Sequence, residues 1–213
     1  MKKVLAFVLC IALCFIVAGC SGDSYNQNLY EFTEATFVSA YGAEDVGNVI
    51  VSVWHDAIYE EWGATSFMFT MIPDSKVFYS DFNTALGKYF KDSHYINIVD
   101  VIDSNMAPVD AMYSELKNPP KNCEDGYEIA QTLYSSYEKL VNAVKNPTGS
   151  LQTFSSTFNE AHGNYVNAYE KMSRYFENQG FEKPEDPKYT VDKIKEFDEE
   201  FIKRAEALMG IED

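Results

Sequence analysis

From Leu151 to Tyr175 the chain places Leu151, Phe154, Phe158, Ala161, Tyr165, Ala168, Met172 and Tyr175 at alternating three- and four-residue steps. That spacing holds one apolar stripe on one side of a helix. A strand, with its two-residue period, would turn half of these side chains into water. So long a stripe has to be buried against other helices, and its regularity suits bundle packing at a small crossing angle. Ser150 is placed to cap the helix, and Gly180 to stop it.

Other stretches repeat the pattern. Leu29, Phe32, Thr36, Ser39, Ala43, Val46, Ile50, Val53 and Ala57 form one face of a long helix, widened by Trp54, Ile58 and Trp62 and fading near Gly63. Gly42 and Gly47 each cost that helix up to about 1 kcal/mol relative to Ala, so a bend is expected there. After Ser80, read as an N-cap, Phe82, Leu86, Tyr89, Ile96, Val99, Ile102, Met106, Val109, Tyr113 and Leu116 fit a second helical region. It carries a phase slip near 93–99, and Pro108 is expected to kink or split it. Ala130, Leu133, Tyr137, Leu140 and Val144 mark a third helix, which Asn146-Pro147-Thr148-Gly149 turns into the 151–175 helix. A stiff charged linker, Lys183-Pro184-Glu185-Asp186-Pro187, precedes a last helix capped by Thr190, with Val191, Ile194, Phe197, Phe201, Ala205 and Leu208 as its stripe. The expected fold is all-α: an antiparallel, up-and-down bundle of four main helices plus a C-terminal one, as a single domain over 29–213.

One connection does not fit the usual polar loop. Residues 64–80, ATSFMFTMIPDSKVFYS, turn at Pro73-Asp74 but carry Phe67, Met68, Phe69, Met71 and Ile72. Two readings stand: these side chains cap the end of the core, or they form an exposed hydrophobic lip for a partner or an apolar ligand.

The N-terminus bears on location. After Lys2 and Lys3, fourteen uncharged residues run from Val4 to Val17, too few for a membrane span of about 20. They end in Val17-Ala18-Gly19-Cys20, which resembles the lipobox of bacterial lipoproteins. That resemblance implies that residues 1–19 are a cleaved signal, that Cys20 carries a diacylglyceryl thioether, and that the chain sits on the extracellular face of the cell membrane. Two acyl chains, at about 0.8 kcal/mol per buried methylene, make a lasting anchor. Ser21 to Asn28 is polar and unpatterned, so 20–28 is expected to be a short tether reaching at most about 26–29 Å.

Residues 1–19 hold two lysines and no acid, which leaves 15 basic against 33 acidic side chains and a net charge of −18. Such a surface argues against nucleic acid, which is bound through Lys and Arg at phosphates, and against adsorption on anionic lipid. Membrane affinity is left to the lipid. Cys10 and Cys14 leave with the signal and Cys20 is used by lipid, so Cys123 stands alone and no disulfide forms within the mature chain.

Beyond Asn118, the runs P-P-K-N-C-E-D-G-Y-E, L-Y-S-S-Y-E-K-L and N-P-T-G-S-L-Q-T-F-S-S-T-F-N-E-A resemble a group of uncharacterised Gram-positive lipoproteins. The likeness covers about half of the mature chain. It implies the anchor and the helical fold, and brings no activity with it.

No catalytic set emerges. His55, His94 and His162 are preceded three residues earlier by Ser52, Lys91 and Asn159, so the Glu-x-x-His pairs of bundle metal sites are missing, as is H-E-x-x-H. Each histidine is read as a surface or satisfied bundle residue, and no metal or cofactor other than the diacylglycerol on Cys20 is expected. No G-x-S-x-G elbow, S-x-x-K set, P-loop or dinucleotide fingerprint is present, and Cys123 beside two prolines reads as an idle thiol. Glu196, Asp198, Glu199 and Glu200 spread around a helix as a solvated face. Tyr25, Tyr41, Tyr59 and Tyr95 fall off the inner stripes, with Tyr169 beside one. The chain is therefore expected to be a non-enzymatic binding or interaction module, tethered at the membrane and engaging an envelope protein or a wall component. The alternative is a solute-binding lipoprotein with an aromatic site between helices.

Overall fold

The computed structural model describes residues 2–72 and 74–210, with side chains placed from residue 22 onward. The expected signal 1–19, with Val17, Ala18 and Gly19, and Cys20, the expected lipid acceptor, lie outside the described side chains, and Pro73 lies outside the described residues.

The elements follow in order: α1 (Lys2–Tyr59), a π-helical turn (Ser66–Thr70), β1 (Met71–Ile72), β2 (Val77–Phe78), α2 (Phe82–Tyr89), α3 (Ser93–Glu115), a 3-10 turn (Lys121–Cys123), α4 (Glu124–Lys145), α5 (Leu151–Asn178) and α6 (Asp192–Met209). The fold is all-α, with one two-residue hairpin pairing Met71 with Phe78 and Ile72 with Val77.

The long helices alternate in direction. Tyr25, close to the first described side chain of α1, donates to the Leu116 carbonyl past the end of α3. Gly126 at the start of α4 lies against Leu29 of α1. Tyr175 near the end of α5 donates to Asn26, while Trp54 late in α1 meets Phe154 early in α5. The bundle is thus up-and-down, as expected, with α1 touching α3, α4, α5 and α6.

That central place explains the composition of α1. From Tyr25 to Ala57 it is buried nearly all round, including Thr33, Thr36 and Ser39. Small side chains let neighbours come close, and the hydroxyls stay satisfied by bonding back to the helix, Thr33 to Leu29 O and Thr36 to Thr33 O. Asn105 of α3 donates to Ala35 O at 2.6 Å and to Ser39 Oγ at 3.0 Å. Gly42 and Gly47 mark close packing inside an uninterrupted helix: a Cβ on Gly42 would meet Ile98, and one on Gly47 the Phe158 ring.

Several expectations need correction. Residues 22–28, taken for a tether because they are polar, continue α1 and pack: Gly22, Tyr25 and Asn26 are buried. The widened stripe stops at Trp54, since α1 ends at Tyr59 and leaves Ile58 and Trp62 exposed. The helical region after Ser80 breaks at Phe90–Asp92, and α3 runs through Pro108. Pro108 and Ser104 are both exposed, so the carbonyl that the proline leaves without its N–H partner faces water. Restarting the helix at 93 turns His94 and Ile98 inward and Ile96 outward. Two caps also move: Asp81, not Ser80, accepts from Asn83 N, and Val191 rather than Thr190 precedes α6, with no side-chain cap. Ser150 and Gly180 sit as expected, Ser150 accepting from Thr153 N and Gly180 ending α5 at φ 63°.

Candidate functional site

Two places carry side chains that a helical scaffold alone does not require. The first is the end of the bundle formed by residues 58–79. Of the five apolar residues expected there as a cap or a lip, Phe69 and Met71 turn into the core, where Phe69 packs on Tyr89 and Phe201. Met68 is half-buried against the same core. Phe67 and Ile72 remain exposed, joined by residues not foreseen in that role, Trp62 and Val77, each 55 % exposed. Trp62 meets Phe67 and Phe78 edge-on, at 5.5 and 6.0 Å between ring centres. The segment is held from beneath by Asp56, which accepts from Thr65 Oγ1 at 2.6 Å and from Ser66 Oγ at 2.8 Å. A turn with such an anchor keeps its apolar side chains in fixed positions.

The second place joins three helices. Asp45 comes from α1, His94 from the first turn of α3 and Asp198 from α6. His94 is 1 % exposed, with Nε2 at 2.9 Å from Asp45 Oδ2 and 3.9 Å from Asp198 Oδ1. Nδ1 pairs with the Tyr89 hydroxyl at 3.1 Å, and the Phe201 ring packs on the imidazole with centres 4.3 Å apart. Despite the short Nε2–Oδ2 approach, neither atom has a hydrogen-bond partner among the described residues. Burial, then the charge of Asp45, raises the Asp198 carboxyl above its ordinary range. Beside this group Asp92 caps α3, accepting from His94 N at 2.9 Å. It also takes both Arg204 nitrogens, at 2.7 and 2.8 Å. Burial works to raise Asp92, but the Arg204 bonds outweigh it and hold the carboxyl below its usual value. The fork ties α6 to the start of α3.

These side chains were not foreseen together. Asp198 belonged with Glu196, Glu199 and Glu200 as a solvated face; the three glutamates are exposed, whereas Asp198 turns inward. His55 and His162 sit at the surface near carboxylates, His55 at 3.5 Å from Asp56 and His162 at 3.3 Å from Glu44. Cys123 is fully buried, its Sγ 4.0 Å from the Gly22 carbonyl, and burial pushes the thiol up, away from the reactive thiolate. Of the off-stripe tyrosines, Tyr25 is buried, Tyr41, Tyr95 and Tyr169 are half-buried, and Tyr59 is exposed over His55. Clefts between α4 and α5 are open and lined mostly by polar side chains such as Lys139, Asn142 and Asn164, with Phe154 in one of them. No protein-family model, curated protein or solved structure matches this chain.

Proposed function

We propose that the chain is a lipid-anchored module of the outer membrane face that presents an apolar end to a protein of the cell envelope. The observation that carries this reading is the exposed set Trp62, Phe67, Ile72 and Val77 at one end of the bundle. From Gly22 to Tyr59 the axial helix rises about 55 Å, so this set lies at the opposite end from the residue next to the anchor. Lipidation at Cys20 fixes one end, and the other is free to meet a partner. Edge-on rings and aliphatic side chains suit a protein surface better than the flat stacking that a wall glycan needs. The anchor rests on the Val17–Cys20 lipobox and on a net charge that gives the domain no affinity of its own for anionic lipid.

Two measurements test the two halves. Cys20→Ser should leave an unprocessed precursor or release the folded domain; a processed chain still bound to membranes sinks the anchor. Photo-crosslinking in cells from position 67 should yield a defined adduct that Trp62→Ser with Val77→Ser removes while the fold is kept. An adduct pattern indifferent to those changes sinks the partner surface.

A further inference from the structure

The geometry points to a divalent transition-metal site made by His94 Nε2, Asp45 Oδ2 and Asp198 Oδ1, which clips α1, α3 and α6 together. This goes beyond the proposed partner surface and does not depend on it. The three ligand atoms lie within 4.8 Å of one another. Ligands bound at about 2.0–2.2 Å sit about 3–3.5 Å apart around one ion, and the 2.9 and 3.9 Å separations bracket that spacing. Asp198, at 36 % side-chain exposure the freest of the three, closes the remaining gap by a small swing.

The second observation comes from His94 itself. Its Nε2 is cut off from water, aimed between two carboxylates, and without a hydrogen bond among the described residues, and the facing Asp45 Oδ2 is likewise buried and unbonded. An imidazole–carboxylate pair meant as an ion pair would align N–H with oxygen, since an orphaned buried polar atom costs about 1–3 kcal/mol. A cation between them satisfies both at once. The Tyr89 hydroxyl at Nδ1 and the Phe201 ring hold the imidazole in orientation, as outer partners of metal-binding histidines do. The donor set of one nitrogen and two carboxylates selects zinc, cobalt or manganese over the all-oxygen preference of calcium and magnesium. Two carboxylates against a divalent ion also relieve the repulsion that Asp45 imposes on Asp198. Both aspartates keep some contact with solvent, so water can complete the shell.

The test uses the full chain, extracted in detergent, stripped with chelator and titrated with ZnCl₂ and CoCl₂. One ion per chain is expected, with visible Co²⁺ ligand-field bands and a rise in Tm on adding Zn²⁺. Asp198→Asn, at a part-exposed position, should weaken binding at least about tenfold, the least that loss of even an outer partner of a metal ligand costs. Asp45→Asn with Asp198→Asn should abolish the stoichiometric ion and the Tm rise. Equal binding by the wild type and Asp198→Asn would assign the ion to the acidic surface at large and overturn the site. So would a wild type that takes up no ion, which would leave His94 and Asp45 as a bare ion pair.

Discussion

At the level of single residues, two glycines in helices have opposite sensitivities. Gly47 faces Phe158, three of whose ring atoms would lie 2.2–2.9 Å from an added Cβ, whereas Gly163 of α5 has nothing within 4 Å. Replacing Gly by Ala in a helix is worth up to about 1 kcal/mol. At 163 that gain should appear undiminished, and Gly163→Ala should raise Tm. At 47 overpacking costs about 1–3 kcal/mol and outweighs it, so Gly47→Ala should lower Tm. Phe158→Leu in the Gly47→Ala background should recover part of the loss; equal stability for both alanine variants would mean that the α1–α5 contact is softer than it looks. The sequence marks Gly47 only as a helix weakener, because the partner that makes this glycine necessary lies 111 positions away. His94 is a different case. Asp92 is a sound N-cap, and starting a helix there puts 94, 98, 102, 105 and 109 on one stripe. The phase slip near 93–99 held the clue that His94 points inward. What it meets, Asp45 and Asp198, follows no spacing rule.

At the level of elements, α3 keeps a proline in its interior. An interior proline costs about 3 kcal/mol against Ala, offset by about 0.4–1 kcal/mol because Pro also restricts the unfolded chain. Pro108→Ala should therefore stabilise the protein by about 2–2.6 kcal/mol, read as a Tm several degrees higher. A lower Tm would show that the ring contributes packing at the cleft it shares with Met112 and Tyr189. Three-four periodicity made α4 and α5 legible almost to the residue, since each buries a single face. It served α1 less well: a helix surrounded by neighbours has no solvent face to define its pattern, and its buried Thr and Ser residues look polar in sequence. The 64–79 segment was legible as unusual but not as divided, because a π-helical turn followed by a two-residue hairpin has no fixed period. Phe69 and Met71 turn in and Phe67 and Ile72 turn out for that reason.

For the molecule as a whole, the polar residues 22–28 belong to the bundle, and this alters how a lipid on Cys20 would hold the domain. Only Ser21 separates Cys20 from buried Gly22, so a lipid on Cys20 would hold the domain within about 7 Å of the anchor, not at the end of an eight-residue leash. The first turns also close over the 3-10 turn before α4, where the Gly22 carbonyl faces Cys123 and Tyr25 and Asn26 hold Leu116 and Tyr175. Cys123 is the one cysteine of a chain begun at Ser21, and its zero exposure makes it a reporter of that closure. In such a chain a thiol reagent should react at the rate at which the bundle opens, and slowly. A chain begun at Leu29 loses both buried tyrosine hydrogen bonds, at about 1–3 kcal/mol for each partner left unpaired, and uncovers the thiol. It should label fast while its far-ultraviolet circular dichroism stays helical, and its Tm should fall. Slow labelling and an unchanged Tm in the shorter chain would return residues 22–28 to the role of a dispensable tether, so that a lipid on Cys20 would be only loosely coupled to the domain.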